Sequence, residues 1–257
     1  MSLQQGGDFA DELSRLAPEC DVGLVIAPDH LIADYTRIIE DRTFNIGCGS
    51  TSAALCANKR LTGGILSRNG IAVPEEVKVG RRVIKPVSGC GADGVRLSTE
   101  PPHAGEFGQR FIEGEHLSVS LVGSRVVGEA CLWYSGIPPL LLALNRQEIR
   151  IQDGRFEYLG GETPVDHPRK EEIVATAKQT ATLLGCQGYV GIDVVVADRV
   201  YVVDVNPRIT TSVIGIAACM EEEIAQILVD AAHGRLPEEV HLAGRIRYRK
   251  DGSVWQA

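Results

Sequence analysis

Apolar positions along the chain fall into short runs with a period of two and longer stretches with helical spacing, and their order predicts the fold class. Asp21 to Ala27 is a short buried strand, which Pro28-Asp29-His30 ends before a helical stretch over Leu31 to Asp41. Ser50 to Ala57 begins another helix. After Asn58-Lys59-Arg60 a further helix runs through Ser67 and stops at Asn69-Gly70. Strands at Arg82 to Lys85 and Val95 to Ser98 flank a glycine-rich turn, Gly89 to Gly94. Gln109 to Ile112 and His116 to Val122 read as extended, and Val126 to Trp133 pairs with the latter. Lys170 to Leu184 is the clearest helix, with Ile173, Val174, Ala177, Ala181 and Leu184 on one face. Met220 to Ala232 closes the core as a last helix. The pattern predicts an α+β fold with antiparallel sheets, preceded by a small α/β piece.

The richest chemistry lies in an apolar hairpin from Gly188 to Arg208. Side chains alternate along a strand, so Asp204 and Asn206 point one way while Val203 and Val205 point into the opposite layer. Asp193 sits on the preceding strand, Ile192 to Ala197, and the Asp198-Arg199 turn brings it near that pair. Carboxylates among so many valines need a cation or hydrogen bonds to compensate them. Carboxylate and amide oxygens suit Mg²⁺, which takes its remaining ligands from water and substrate phosphates. Arg208, next to the pair, can grip a phosphoryl oxygen. Taken alone, the same residues also read as a strand ending at an Asn-Pro turn.

Composition changes the picture by exclusion. At 257 residues the chain suits one large domain or two lobes. A net charge of −8 disfavours a nucleic-acid partner, which calls for a basic excess. Seven cysteines form no C-x-x-C pair, so neither a disulfide framework nor a zinc site is expected, and a reducing cytoplasm fits best. The polar, acidic stretch from Met1 to Leu16 is no secretory signal. The longest apolar run, Ile137 to Leu144, is too short to span a bilayer, so no membrane partner is expected.

Gly89-Cys-Gly91-Ala-Asp-Gly94 satisfies the G-x-G-x-x-G dinucleotide pattern, but Val95-Arg-Leu-Ser follows where that reading needs a helix. A lid between antiparallel strands, folding its backbone N–H groups over a nucleotide, is the other phosphate-binding use of such a sequence. Lys85 feeds this lid. A plain hairpin turn with an exposed lysine accounts for the same residues.

From Asn58 to about Ala232 these pieces, in this order, resemble an ATP-grasp ligase. Asn58-Lys59-Arg-Leu-Thr with Asn69-Gly-Ile-Ala-Val-Pro74 looks like the family's opening lysine, helix and G-I-x-V-P element. Val83-Ile-Lys85-Pro-Val-Ser-Gly-Cys-Gly resembles its second lysine and loop, Gln109 to Val119 its hinge between lobes, and Leu184 to Asp193 with Asp204-Val-Asn206-Pro-Arg208 its metal-binding end.

The resemblance implies an ATP-grasp fold in which two α+β lobes clamp ATP. Residues 1–58 would be a shortened α/β segment, 59–114 the small lobe with the glycine lid, and 115–257 the large lobe with the metal site. It further implies that Lys59, Lys85, Gly89 and Gly91 meet the phosphates, Phe111 and Ile112 line the adenine pocket, and Glu115 or His116 reaches the ribose. Asp193, Asp204 and Asn206 would bind Mg²⁺, one ion or two, with Mn²⁺ as a replacement. Lys85 and Arg208 would be catalytic, Arg208 by stabilising an acyl phosphate. The family's metal motif usually begins with Glu where Asp204 stands, and a carboxylate is frequent where His116 stands.

The run Asn206-Pro-Arg-Ile-Thr210-Thr211-Ser212, with Asn145-Arg146-Gln147 and Gly160-Gly161-Glu-Thr-Pro upstream, looks most like the tyramine-glutamate ligase group of furan-cofactor biosynthesis. That likeness implies a small-molecule carboxylate and amine as partners, the γ-carboxylate of L-glutamate joined to an aryl-ethyl amine; a homodimer is compatible with it. A D-alanyl-D-alanine-type ligase and a non-catalytic ATP sensor are the alternatives. Thr210, Thr211 and Ser212 read equally as substrate contacts or as a polar cap on a helix over Val213 to Ala218. Asn145 to Gln147 reads as a solvated loop or as substrate contacts.

Overall fold

Helix starts in the N-terminal third coincide with residues that satisfy free backbone N–H groups or tolerate their exposure. The computed structural model describes residues 8–89, 94–125 and 137–257. Helix α1 (Phe9–Leu16) is capped by the Asp8 side chain and α4 (Lys59–Arg68) by Asn58, which accepts from Leu61 N at 3.0 Å. Between them lie α2 (Asp29–Arg42) and α3 (Ser50–Ala57), beside the short parallel pair β1 (Val22–Gly23) and β2 (Phe44–Asn45). This is the small α/β piece expected from the pattern, except that the buried strand read over Asp21 to Ala27 shrinks to the two residues of β1, neither of them buried, because β1 pairs only with the equally short β2.

The rest is built on one ten-stranded sheet whose paired strands are all antiparallel. Its strands are β3 (Arg82–Pro86), β4 (Arg96–Ser98), β5 (Glu106–Arg110), β6 (Glu115–Gly123), β7 (Leu140–Gln152), β8 (Arg155–Thr163), β9 (Gly188–Val196), β10 (Val200–Asn206), β11 (Ile246–Arg249) and β12 (Val254–Gln256). They run in the order β10-β9-β6-β7-β8-β4-β3-β5, with β11 joining β8 and β12. Helices α5 (Lys170–Leu183), α6 (Ser212–Cys219) and α7 (Ile224–Ala232) complete the chain.

Two apolar layers hold the sheet. In one, Ile173, Ala177 and Ala181 of α5, with Leu184, meet Leu117, Val119, Ile192, Val194, Val202 and Val205. In the other, Ile216, Ile227, Leu228 and Ala231 cover Val122, Leu142 and Tyr189. The face read for α5 is the buried one, except that Thr180 is buried where Val174 is only half-buried. Truncating Ile173 to Ala costs about 2–5 kcal/mol, the usual range for a buried aliphatic side chain.

Several expectations are corrected. The strand expected over Gln109 to Ile112 instead begins at Glu106 and stops at Arg110, so Phe111 and Ile112 belong to the connection into β6. The last helix starts at Ile224 rather than Met220, after a separate α6. Asn145 to Gln147 is no loop but part of the 13-residue β7. The strand read at Val126 to Trp133 lies outside the described residues, as do residues 90–93 of the glycine turn. Among the described residues, no helix is long and apolar enough to cross a membrane.

Candidate functional site

The β9–β10 hairpin is turned at Ala197 to Arg199, as its sequence implies, but its register carries one extra residue. Val202 pairs with Val194 and Asp204 with Asp193, leaving Val203 as a bulge. Val205 enters the apolar core as expected, whereas the bulge brings Val203 to the cleft beside Asp204. The Val203 carbonyl is thereby free to accept from Lys85 Nζ at 2.8 Å. One irregularity thus sets Asp204 opposite Asp193 and anchors a lysine from β3.

The cleft has a volume of about 240 Å³. At one end stand Lys59, Lys85, Asp193, Asp204, Asn206 and Arg208; its apolar walls include Val83, Phe111, Ile112, Ile149, Phe156 and Val195. Gly114 lets the connection bearing Phe111 and Ile112 lie against β9, since a Cβ there would stand 2.4 Å from Val196 O.

Charges at the polar end are buried and interlocked. Lys59 Nζ lies 2.5 Å from Asp204 Oδ1 and 3.5 Å from Asp29 Oδ2. Asp193 accepts from Gln147 Nε2 at 2.9 Å through one oxygen and from Asn206 Nδ2 at 3.2 Å through the other. Arg208 donates to Asn206 Oδ1 at 3.3 Å and lies 3.6 Å from Asp29 Oδ1. Burial, then the adjacent Asp204 charge, push the Asp193 carboxyl up to about 7. Burial opposes ionisation of Asp204 as well, but Lys59 and Lys85 outweigh it and hold that carboxyl below its usual range. Burial lowers Lys85 to about 8, with Asp204 opposing the shift. For Lys59 burial also disfavours the charge, and the contact with Asp204 more than reverses it.

The donor set fits a hard divalent cation. Among the described residues no group of three or more His, Cys, Asp or Glu is placed to hold a metal. Two carboxylates and an amide do converge on one point, and in the free protein their oxygens are taken up by Lys59, Arg208 and neighbouring amides. Such a partial oxygen set matches Mg²⁺, which fills its sphere with phosphate and water.

Of the residues expected from the sequence, Lys59, Lys85, Phe111, Ile112, His116, Asp193, Asp204, Asn206 and Arg208 all line this one cleft. Burial lowers the His116 imidazole. Glu115 is not part of the lining; it pairs with Arg146 at 3.0 Å and His167 at 3.5 Å. Gly89 leads out of β3 toward residues 90–93, and Gly91 falls outside the described residues. Thr210 and Ser212 do not cap α6: Thr211 occupies the N-cap without a side-chain bond, while their hydroxyls join each other, Tyr189 and Ser120.

Asp29, Gln147, Phe156 and Tyr158 complete the surroundings. The β7–β8 hairpin carrying the last three had a legible signal, Asp153-Gly154. Both residues have positive φ, 51° and 75°, as a two-residue type I′ hairpin turn requires. Asp29 had none, because its partners lie far along the chain.

Comparison with known proteins identifies the family. The ATP-grasp domain family matches residues 56–212. Tyramine–L-glutamate ligase of Methanocaldococcus fervens is 36% identical over 217 residues, 83% of this chain and 66% of the relative. The enzyme of the same name from Methanocaldococcus jannaschii is 33% identical over 240 residues, 91% of this chain and 70% of the relative. The chain therefore spans about two thirds of the length of the relatives it matches. A crystal structure of an Archaeoglobus fulgidus protein assigned to the ATP-grasp superfamily superposes with a TM-score of 0.74 at 29% identity, covering 93% of this chain and 72% of that one. The chain belongs to the ATP-grasp domain family, and within it to the group of the tyramine–L-glutamate ligases.

Proposed function

We propose that the chain is an ATP-dependent carboxylate-amine ligase that joins the γ-carboxylate of L-glutamate to tyramine or a closely related aryl-ethyl amine. The observation that carries this reading is the convergence of three cationic side chains, two carboxylates and one amide at one end of an apolar cleft. The similarity to the two methanogen enzymes supplies the substrate class.

In this reading adenine lies between Phe111, Ile112 and Val195, with His116 at the ribose. The triphosphate runs toward Lys59 and Lys85, whose ammonium groups donate charge-assisted hydrogen bonds to its oxygens. Asp193, Asp204 and Asn206 would hold Mg²⁺, which would neutralise the negative charge of the phosphates. The glutamate γ-carboxylate oxygen attacks the γ-phosphorus, the bond to the ADP oxygen breaks, and an acyl phosphate forms. Arg208 holds the transferring phosphoryl oxygens. The amine then attacks the acyl carbon, the C–O bond to phosphate breaks, and the amine loses a proton as the amide forms. Positioning and charge neutralisation carry such chemistry, so no Ser-His or Cys-His pair is required. Residues 59–114 and 115–257 act as the two lobes of the clamp, behind the N-terminal segment 1–58.

The test is ADP release with Mg²⁺, ATP, L-glutamate and tyramine. Release that needs both substrates and vanishes in Lys85→Ala and Asn206→Ala supports the reading. Unaltered turnover in either variant overturns the site assignment, and turnover with two alanines but none with glutamate overturns the substrate class.

A further inference from the structure

The N-terminal segment lies outside the ATP-grasp match, which begins at residue 56, yet it delivers one carboxylate to the phosphate end of the cleft. Asp29 opens α2, directly after Pro28, and is 4% exposed. Burial raises its carboxyl, and its Oδ1 is buried without a hydrogen-bond partner. A buried carboxylate with an unused oxygen is costly unless nearby charge compensates it. Here the compensation comes from two cations on separate elements: Lys59 Nζ at 3.5 Å from Oδ2, and Arg208 at 3.6 Å from Oδ1.

Both contacts are looser than those the same cations make elsewhere. Lys59 is tight on Asp204 Oδ1 at 2.5 Å, and Arg208 hydrogen-bonds Asn206 Oδ1 at 3.3 Å. Those two oxygens belong to the set that would hold Mg²⁺. A divalent cation on Asp204 and Asn206 therefore competes with Lys59 and Arg208 for these oxygens. Asp29 is then the acidic side chain within 4 Å that both cations retain among the described residues.

We infer that Asp29 is a positioning residue that receives Lys59 and Arg208 when Mg²⁺ takes their oxygens, which makes the N-terminal segment part of the Mg²⁺-nucleotide site. Without Asp29 the two cations compete for the metal's own ligands, so loading demands more Mg²⁺. The inference rests on the functional reading above only in that the nucleotide and metal occupy this cleft; it does not depend on which carboxylate or amine is joined.

The test is calorimetric binding of a non-hydrolysable ATP analogue over a range of Mg²⁺ concentrations, which needs no turnover. Asp29→Asn is expected to raise the Mg²⁺ concentration for half-maximal binding by about tenfold, the size of one lost contact to a charged group. Saturating Mg²⁺ recovers full binding, and Asp29→Glu restores most of the sensitivity. In an Arg208→Gln background the shift shrinks, since residues acting through one another are not additive. An unchanged Mg²⁺ dependence in Asp29→Asn overturns the inference. So does a loss that saturating Mg²⁺ does not recover, which would mark Asp29 as merely structural. If the unaltered chain binds no nucleotide at any Mg²⁺ concentration, the functional reading falls and this one with it.

Discussion

Lys59 and Asp204, 145 residues apart in sequence, are joined by a 2.5 Å contact between Nζ and Oδ1 with both side chains largely shielded from water. The pair ties the start of α4 to the end of β10 and sets a cation on an oxygen of the proposed Mg²⁺ set. Removing Asp204 leaves Lys59 with Asp29 alone at 3.5 Å, and a buried charge that loses part of its counter-charge is penalised.

Asp204→Asn is therefore expected to lose stability and activity together. Lys59 is left with the looser contact to Asp29 at 3.5 Å, so the cost falls below the roughly 3–5 kcal/mol of breaking a buried pair outright. Chemical denaturation measures the first effect and ADP release the second. A variant with wild-type stability would show that the pair contributes nothing to the fold.

Lys85 is expected to set the alkaline limit for nucleotide binding. Its folded-state pKa is lowered to about 8 by burial, so the free protein loses the Lys85 charge as pH rises through that value. Affinity for the ATP analogue, measured by calorimetry, is expected to fall between pH 7 and pH 9. Lys85→Arg keeps its charge throughout and flattens that fall. Equal slopes in the two proteins would remove Lys85 from the phosphate contacts.

Gln147 donates to Asp193 at 2.9 Å and is expected to act through it on the proposed Mg²⁺ site. Gln147→Leu removes a hydrogen bond to a charged group, worth about 1.5–3 kcal/mol. Mg²⁺-dependent nucleotide affinity is expected to drop by about one to two orders of magnitude. Thermal unfolding without metal is expected to change little, because Gln147 is only half-buried and Asp193 keeps its bond from Asn206. An unaltered Mg²⁺ requirement would leave Gln147 a structural residue.

The acid side of stability is set in part by β4 and β5. Arg96 forks onto Glu106 with bonds of 2.6 and 2.8 Å, and this holds the Glu106 carboxyl down to about 2 from its ordinary 4.5. A lowered folded-state pKa means stability that is fully present above about 4.5 and is lost as pH falls toward 2. Arg96→Met is thus expected to lower the melting temperature at pH 7, with the difference from the unaltered chain shrinking through that window. A difference that persists at the acid end would assign it to packing.

Local signals account for what was legible. Valine alternation, a two-residue turn and polar positions two apart revealed the β9–β10 hairpin with its Asp193, Asp204 and Asn206. The bulge at Val203 was not legible, because register depends on the partner strand rather than on the alternation itself. The β7–β8 hairpin escaped because Asn145-Arg-Gln-Glu interrupts an apolar run with residues typical of loops, although Asp153-Gly154 marks the turn. Thr210 and Ser212 look like caps, but their hydroxyls face Tyr189 and Ser120, and nothing in their own sequence shows that network. Asp29 was read as punctuation between a strand and a helix. Its meaning is tertiary, arising where α2, α4 and the end of β10 meet.

The most direct measurement follows the γ-carboxylate oxygen. L-Glutamate labelled with oxygen-18 in that group is incubated with ATP, Mg²⁺ and tyramine, and products are read by mass spectrometry. The account predicts an amide of glutamate and tyramine, ADP, and phosphate carrying one labelled oxygen for each amide formed. ATP bound without ADP release, or phosphate without label, would contradict it.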